Sequence, residues 1–167
     1  MKTEPEPTNS VEIQVDDLRW ADQFPGLESH AKDVFTKVIQ AASPDISAYQ
    51  ACLVFSNDKT IQSLNETYRN QKQPTNVLAF PADCSTVIDL PVKLLGDIII
   101  AFETVDFEAQ AQNKSFQDHT THLIVHGALH LLGYDHIETR EAEKMESFEI
   151  KILANMGIKN PYEDDNA

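Results

Sequence analysis

The sequence predicts an α/β (α+β) domain in which one small mixed β-sheet packs against several helices. Three observations carry that expectation. Short β-rich runs alternate apolar and polar residues, longer stretches repeat apolar residues at helical spacing, and the two kinds of segment are interspersed along 167 residues without an internal repeat. That length suits a single domain with its own core and leaves little room for a second. With 41% hydrophobic and 24% charged residues the composition is globular. No apolar stretch approaches the roughly 18 residues of a membrane span.

Residues 1–10 hold two Glu-Pro pairs and almost nothing apolar, a composition that cannot offset the entropy of ordering. A flexible acidic arm is expected there, with the domain proper at 11–162 and an acidic tail at 163–167. Val11, Ile13 and Val15 alternate with polar residues as in a half-buried strand. Beyond Pro25-Gly26 the period changes: Leu27, Ala31, Val34, Val38 and Ala42 share a helix face widened by Phe35 and Ile39, and Ser43-Pro44 ends it. Tyr49 to Phe55 reads as a second strand. Asn57 or Asp58 is placed to cap a helix carrying Ile61, Leu64 and Tyr68, with Arg69 at its end. A polar loop from Asn70 to Asn76 leads to a third strand, Val77 to Phe80, and a connection without period runs from Pro81 to Pro91. Leu94 to Phe102 is the most apolar strand run and is expected at the sheet centre, with Gly96 at a bulge or close approach. A short helix near Glu103 to Gln110 precedes a longer one from about Ser115 to Leu132, stopped by Gly133 in a left-handed cap. The last helix starts near Thr139, turns Met145, Phe148, Ile152, Leu153 and Met156 to the core, and ends at Gly157.

The charge balance, 13 Lys and Arg against 27 Asp and Glu, gives a formal net charge of -14. That excludes nucleic-acid binding through a broad basic surface, so any RNA contact must be local. The only suggestive basic grouping is Lys59, Arg69 and Lys72. Cys52 and Cys84 are too few for a disulfide framework and too far apart for a metal knuckle, and are expected to stay reduced. The N-terminus has no apolar signal core, so a cytoplasmic protein with no membrane partner is expected.

Four of the six histidines, His119, His122, His126 and His130, recur at spacings of three, four and four and form a stripe on a helix. His126 and His130 can grip one metal ion from a single face, and Gly133 then breaks the helix so that His136 folds back as a third ligand. The pattern H-x-x-x-H-x-x-G-x-x-H equals the ligand spacing of metzincin proteases, whose general base is a Glu directly after the first His. Here that position is Gly127. Three imidazoles without a thiolate leave a coordination position open, the layout of a catalytic site, so one Zn2+ per chain is expected and no organic cofactor. His122 is expected to orient or pack the site, His119 to be exposed or capping, and His30 carries no signal. Asp135 is a candidate base, with orientation of a ligand histidine the favoured role. Asp97 either lines the cleft or caps a strand end.

The run His126-Gly127-Ala128-Leu129-His130-Leu131-Leu132-Gly133-Tyr134-Asp135-His136 closely resembles the signature of the YbeY family of bacterial endoribonucleases. Leu64-Asn65 with Tyr68-Arg69, then Pro74-Thr75-Asn76-Val77-Leu78-Ala79-Phe80-Pro81, then Leu95-Gly96-Asp97-Ile98 follow in the family's order, so the resemblance spans roughly Val11 to Tyr162. Ala79 departs from it, since many members have Ser there. The resemblance implies a metal-dependent endoribonuclease directed at single strands, acting in maturation of the 3′ end of small-subunit ribosomal RNA and in ribosome quality control. It also implies zinc on His126, His130 and His136, with Arg69 facing the metal as the catalytic residue. A guanidinium placed so would clamp a phosphate bidentately as charge develops on it. The implied partners are single-stranded and ribosomal RNA, the small ribosomal subunit, and assembly proteins including an assembly GTPase. Two alternatives stay open: a metalloprotease-like zinc hydrolase, favoured by ligand spacing and disfavoured by Gly127, and a non-catalytic zinc-stabilised ribosome assembly factor.

Overall fold

The computed structural model describes residues 9–82, 92–135 and 138–163. Its elements are β1 (Ser10–Val15), α1 (Arg19–Gln23), α2 (Leu27–Ala42), β2 (Tyr49–Ser56), α3 (Asp58–Arg69), β3 (Val77–Pro81), β4 (Lys93–Ala101), α4 (Phe102–Ala111), α5 (Phe116–Leu131) and α6 (Thr139–Asn155). The strands form one mixed sheet in the order β1-β2-β4-β3, with β1, β2 and β4 parallel and β3 antiparallel to β4. The most apolar run, β4, is interior, as its composition demands.

Gly96 sits at an irregularity. Gln50 pairs with Leu94 and Ala51 with Gly96, so Leu95 is the extra residue of a bulge. At φ +129° a Cβ on Gly96 would lie 2.1 Å from the carbonyl oxygen of Phe80, which only glycine avoids. The bulge lets β3 run close beside β4.

Strand alternation sorts the core into two layers. Ile98 and Ile100 of β4 join the main cluster with α2, α5 and α6, whereas Ile99 and Ala101 turn to the other face, where Ile61 of α3 and Leu78 of β3 form a small satellite. Helix α5 therefore lies on the main face, over β3 and β4. Its close approach depends on Gly127, because a Cβ there would stand 2.9 Å from Cγ2 of Ile98. The Ser115 hydroxyl accepts from the Asp118 amide at 3.0 Å to begin α5. At its other end Gly133 takes φ +98°, and the Tyr134 amide returns to the Leu129 carbonyl at 3.1 Å.

The five-residue helix α1 has no counterpart in the sequence reading, being too short to display a period. It exists to seat Trp20, which is fully buried, packs against Phe55, Phe102 and Phe116, and donates its indole N–H to the Ser56 carbonyl at 2.8 Å. Among the described residues no helix is long and apolar enough to cross a membrane. Residues 83–91, most of the expected connection and Cys84 with it, lie outside the described residues.

Candidate metal centre and cleft

One turn of α5 brings His126 and His130 onto the same side, and their Nε2 atoms converge to 3.1 Å. Two nitrogen ligands of one tetrahedral ion, each about 2.0–2.1 Å from it, stand about 3.3 Å apart, so this pair is already spaced as ligands are. The other nitrogen of His126, Nδ1, lies 2.6 Å from Oε1 of Glu149 on α6. An ionised carboxylate only accepts, so the proton belongs on Nδ1 and the lone pair of Nε2 is turned toward His130.

Glu149 itself has no exposed surface. The His122 Nε2 lies 3.4 Å from the same Oε1, and the Tyr162 hydroxyl donates to Oε2. Burial opposes ionisation of Glu149, but the His122 and His126 rings outweigh it and, with Tyr162, hold the carboxyl at about 2. Burial, then the Glu149 carboxylate, push the Tyr162 phenol up, so it remains a donor. His122 is held below its ordinary value chiefly by desolvation, which keeps it neutral at physiological pH.

Donor atoms of His122, His126 and Glu149 all lie within 4.8 Å of one another, a group that could hold a metal ion. It shares His126 with the pair on the opposite edge of the ring. The 2.6 Å between Nδ1 and Oε1 is a charge-assisted hydrogen-bond distance, shorter than the spacing of two ligands on one ion. A proton on the Glu149 side and a metal on the Nε2 side is the arrangement of a ligand histidine oriented by a carboxylate.

The Nε2 side opens on a cleft of about 710 Å³ lined by Arg69, Asn76, Ala79, His126, His130 and Asp135 among others. Helix α3 lies on the other face of the sheet and ends in Asn70 at φ 57°, so Arg69 reaches the cleft round the edge strand β3. Four of the expected site residues, Arg69, His126, His130 and Asp135, thus share one cleft. His136 lies outside the described residues. His122 stands behind His126, against Glu149, and does not line the cleft.

Two expectations change. Asp97 is exposed on the sheet face opposite Ile98, whose side chain underlies Gly127, so it does not line the cleft. His119, expected exposed or capping, is only 3% exposed and places Nε2 3.0 Å from Oε1 of Glu108. The first turn of α5 places it inward, where a buried ring nitrogen needs a hydrogen-bond partner and Glu108 supplies it. Sequence reasoning also missed Glu149 and Tyr162. The signal for Glu149 was there: it falls on the apolar stripe between Met145 and Ile152, where a carboxylate survives only with buried partners.

The small α/β scaffold thus carries a metal-competent group of histidines from α5 and a carboxylate from α6, beside a cleft that holds an arginine. Comparison with known proteins narrows the class. The family model described as Endoribonuclease YbeY matches residues 17–157. A relative named Endoribonuclease YbeY from Sinorhizobium fredii (strain NBRC 101917 / NGR234) is 44% identical over 160 residues, covering 92% of each chain. Another of that name from Rhizobium etli (strain ATCC 51251 / DSM 11541 / JCM 21823 / NBRC 15573 / CFN 42) is 42% identical over 167 residues, again covering 92% of each. The solution structure of TM1509 from Thermotoga maritima superposes with a TM-score of 0.55 at 20% identity, covering 92% of this chain and 99% of that one, a likeness of fold. This chain belongs to the YbeY family of endoribonucleases.

Proposed function

We propose that the chain is a zinc-dependent endoribonuclease that cuts single-stranded RNA, with the ion held by His126, His130 and His136 and with Arg69 as the catalytic residue on the scissile phosphate. The observation that carries this reading is the His126–His130 pair, its Nε2 atoms 3.1 Å apart, in one cleft with Arg69. Membership of an endoribonuclease family supports it.

Zinc bound there supplies Lewis acidity at the phosphate. The protein does the rest. Glu149 keeps His126 in the tautomer that offers Nε2 as a ligand, and Tyr162 keeps Glu149 in place. Arg69 presents a planar fork of N–H donors to phosphate oxygens, stronger as the pentacovalent transition state gathers charge. RNA carries its own nucleophile in the 2′-hydroxyl, so the chemistry tolerates the lack of a Glu beside His126. Asp135, at the cleft wall, is the nearest carboxylate in sequence to the ligand set and serves to orient it.

A protease reading meets a physical obstacle at position 127. A Glu there would begin with a Cβ 2.9 Å from the Ile98 side chain, so Ile98 or the helix would have to shift to admit the missing base. The substrate we propose is ribosomal RNA, at the 3′ end of the small-subunit RNA, in the cytoplasm. With a net charge of -14 the protein needs help to find it, and docking on the small subunit or its assembly proteins, an assembly GTPase included, supplies effective concentration. The test is incubation of the zinc-loaded protein with single-stranded RNA and with casein, beside Arg69→Ala. RNA cleavage that Arg69→Ala abolishes supports the reading, and casein cleavage with intact RNA overturns it.

A further inference from the structure

We propose that Asn76 contacts the substrate, its side-chain carbonyl accepting a hydrogen bond from a ribose 2′-hydroxyl in the cleft, and that Glu108, shared with His119, is the positioning residue that turns the amide that way. The inference rests on the endoribonuclease reading and adds to it the group by which RNA is told from DNA.

Asn76 is held at two points. Its main-chain carbonyl accepts from the Ala101 amide at 2.9 Å, which fixes the residue at the mouth of β3. Its Nδ2 donates to Oε1 of Glu108 at 2.9 Å. The same oxygen lies 3.0 Å from Nε2 of the buried His119, whose Nδ1 is buried without a hydrogen bond, so the imidazole proton belongs on Nε2, which donates to the carboxylate. Burial opposes ionisation of Glu108, but His119 and Asn76 outweigh it and hold the carboxyl below its ordinary value.

An ionised carboxylate accepts and cannot donate, so the Asn76 amide has one orientation. Reversed, it would set Oδ1 against Oε1, two acceptors at hydrogen-bond distance. Asn76 lines the cleft, and with Nδ2 committed to Glu108 its side chain has only Oδ1 left to offer, an acceptor with no hydrogen bond among the described residues. Phosphate oxygens are acceptors and would be repelled there. The cleft meets phosphate through Arg69, while Val77 and Ala79 are apolar. What an isolated acceptor beside a phosphate clamp fits is a donor one bond from the sugar ring, the 2′-hydroxyl, which DNA lacks.

The experiment uses the full-length, zinc-loaded protein and initial rates of cleavage of a fluorescent single-stranded RNA. A competing oligonucleotide of the same sequence carries a single 2′-deoxy substitution walked along it, and its inhibition constant is measured at each step. In the wild type, one position is expected to raise the inhibition constant about tenfold, the worth of one hydrogen bond, while Asn76→Ala removes that penalty. Glu108→Gln, whose own amide can present either face, shrinks the penalty while leaving cleavage measurable. It carries the test by itself should Asn76→Ala fail to fold. An unchanged penalty in both variants, or one that follows the base rather than the sugar, overturns the inference. A wild type that leaves the reporter RNA intact overturns the endoribonuclease reading instead, and that result is read before any Asn76 variant is made.

Discussion

The histidines of α5 meet two carboxylates, and the pairs His126–Glu149 and His119–Glu108 differ in what they leave for the cleft. At one, Glu149 of α6 accepts a hydrogen bond from Nδ1–H of His126 at 2.6 Å and turns the Nε2 lone pair toward His130. At the other, Glu108 of α4 sits against Nε2 of His119 at 3.0 Å and accepts from the Asn76 amide at 2.9 Å, which leaves the amide its carbonyl oxygen. In the proposed centre the histidine is the working group in the first pair, whereas in the second it is buried. Both carboxyls are depressed against the pull of burial, so stabilised charge alone does not distinguish a metal-orienting pair from a structural one. What distinguishes them is which ring nitrogen meets the carboxylate and what the other one faces.

The largest effect should come from the ligand side of the first pair. His130→Ala is expected to drop bound zinc from one per chain to trace levels and cleavage to background, while His119→Asn leaves the zinc content at one per chain. Elemental analysis of both variants separates the two histidines, and zinc retained in His130→Ala would show that the pairs have been assigned the wrong way round.

Arg69→Ala comes next. It should lower kcat by about 10²–10³ while metal content and melting temperature stay at wild-type values, because its guanidinium acts on charge that develops in the transition state. Arg69→Lys should rescue poorly, lacking the planar two-point geometry, and full activity in the Lys variant would remove the bidentate clamp from the account.

A smaller effect tests the carboxylates directly. Glu149→Gln is expected to weaken zinc affinity about 10–100-fold in competition with a chelator, whereas Glu108→Gln leaves it unchanged. Equal losses in the two variants would erase the distinction between the pairs.

Smallest is a pH effect on stability at the second pair. Glu108 ionises below its ordinary 4.5 in the folded chain, so its contribution is present in full above 4.5 and is lost as pH falls through the depressed value. The difference in denaturant midpoint between wild type and Glu108→Gln should therefore be full at pH 7 and shrink below pH 4.5. A difference that grows on acidification would mean that the carboxyl is raised in the fold.

The same two pairs show how much could be read beforehand. The histidine stripe and the glycine turn lie within one short stretch, and local spacing is visible in a linear chain, so α5 and its candidate ligands stood out. Gly96 was legible because a glycine in the most apolar strand needs a reason, and the bulge against Phe80 is that reason. The carboxylates come from α4 and α6, and which glutamate meets which ring is set by packing across helices that no local period encodes. Glu149 left a trace as a charge on an apolar stripe. Glu108 left none, since it lies on a short helix with a weak pattern, and His119 was misplaced for want of its partner. Asp97, adjacent to a buried Ile98, turned to the other face because successive strand residues alternate.

Removal and return of the metal is the sharpest test of a catalytic zinc centre at His126 and His130. The full-length protein is stripped with chelator, its fold followed by circular dichroism, and cleavage of single-stranded RNA measured as zinc is added back. The expected result is a folded apoprotein without activity, whose cleavage returns in proportion to zinc and saturates at one equivalent per chain. An apoprotein that unfolds would make the metal a structural staple, and one that still cleaves at the full rate would take the His126–His130 centre out of the chemistry.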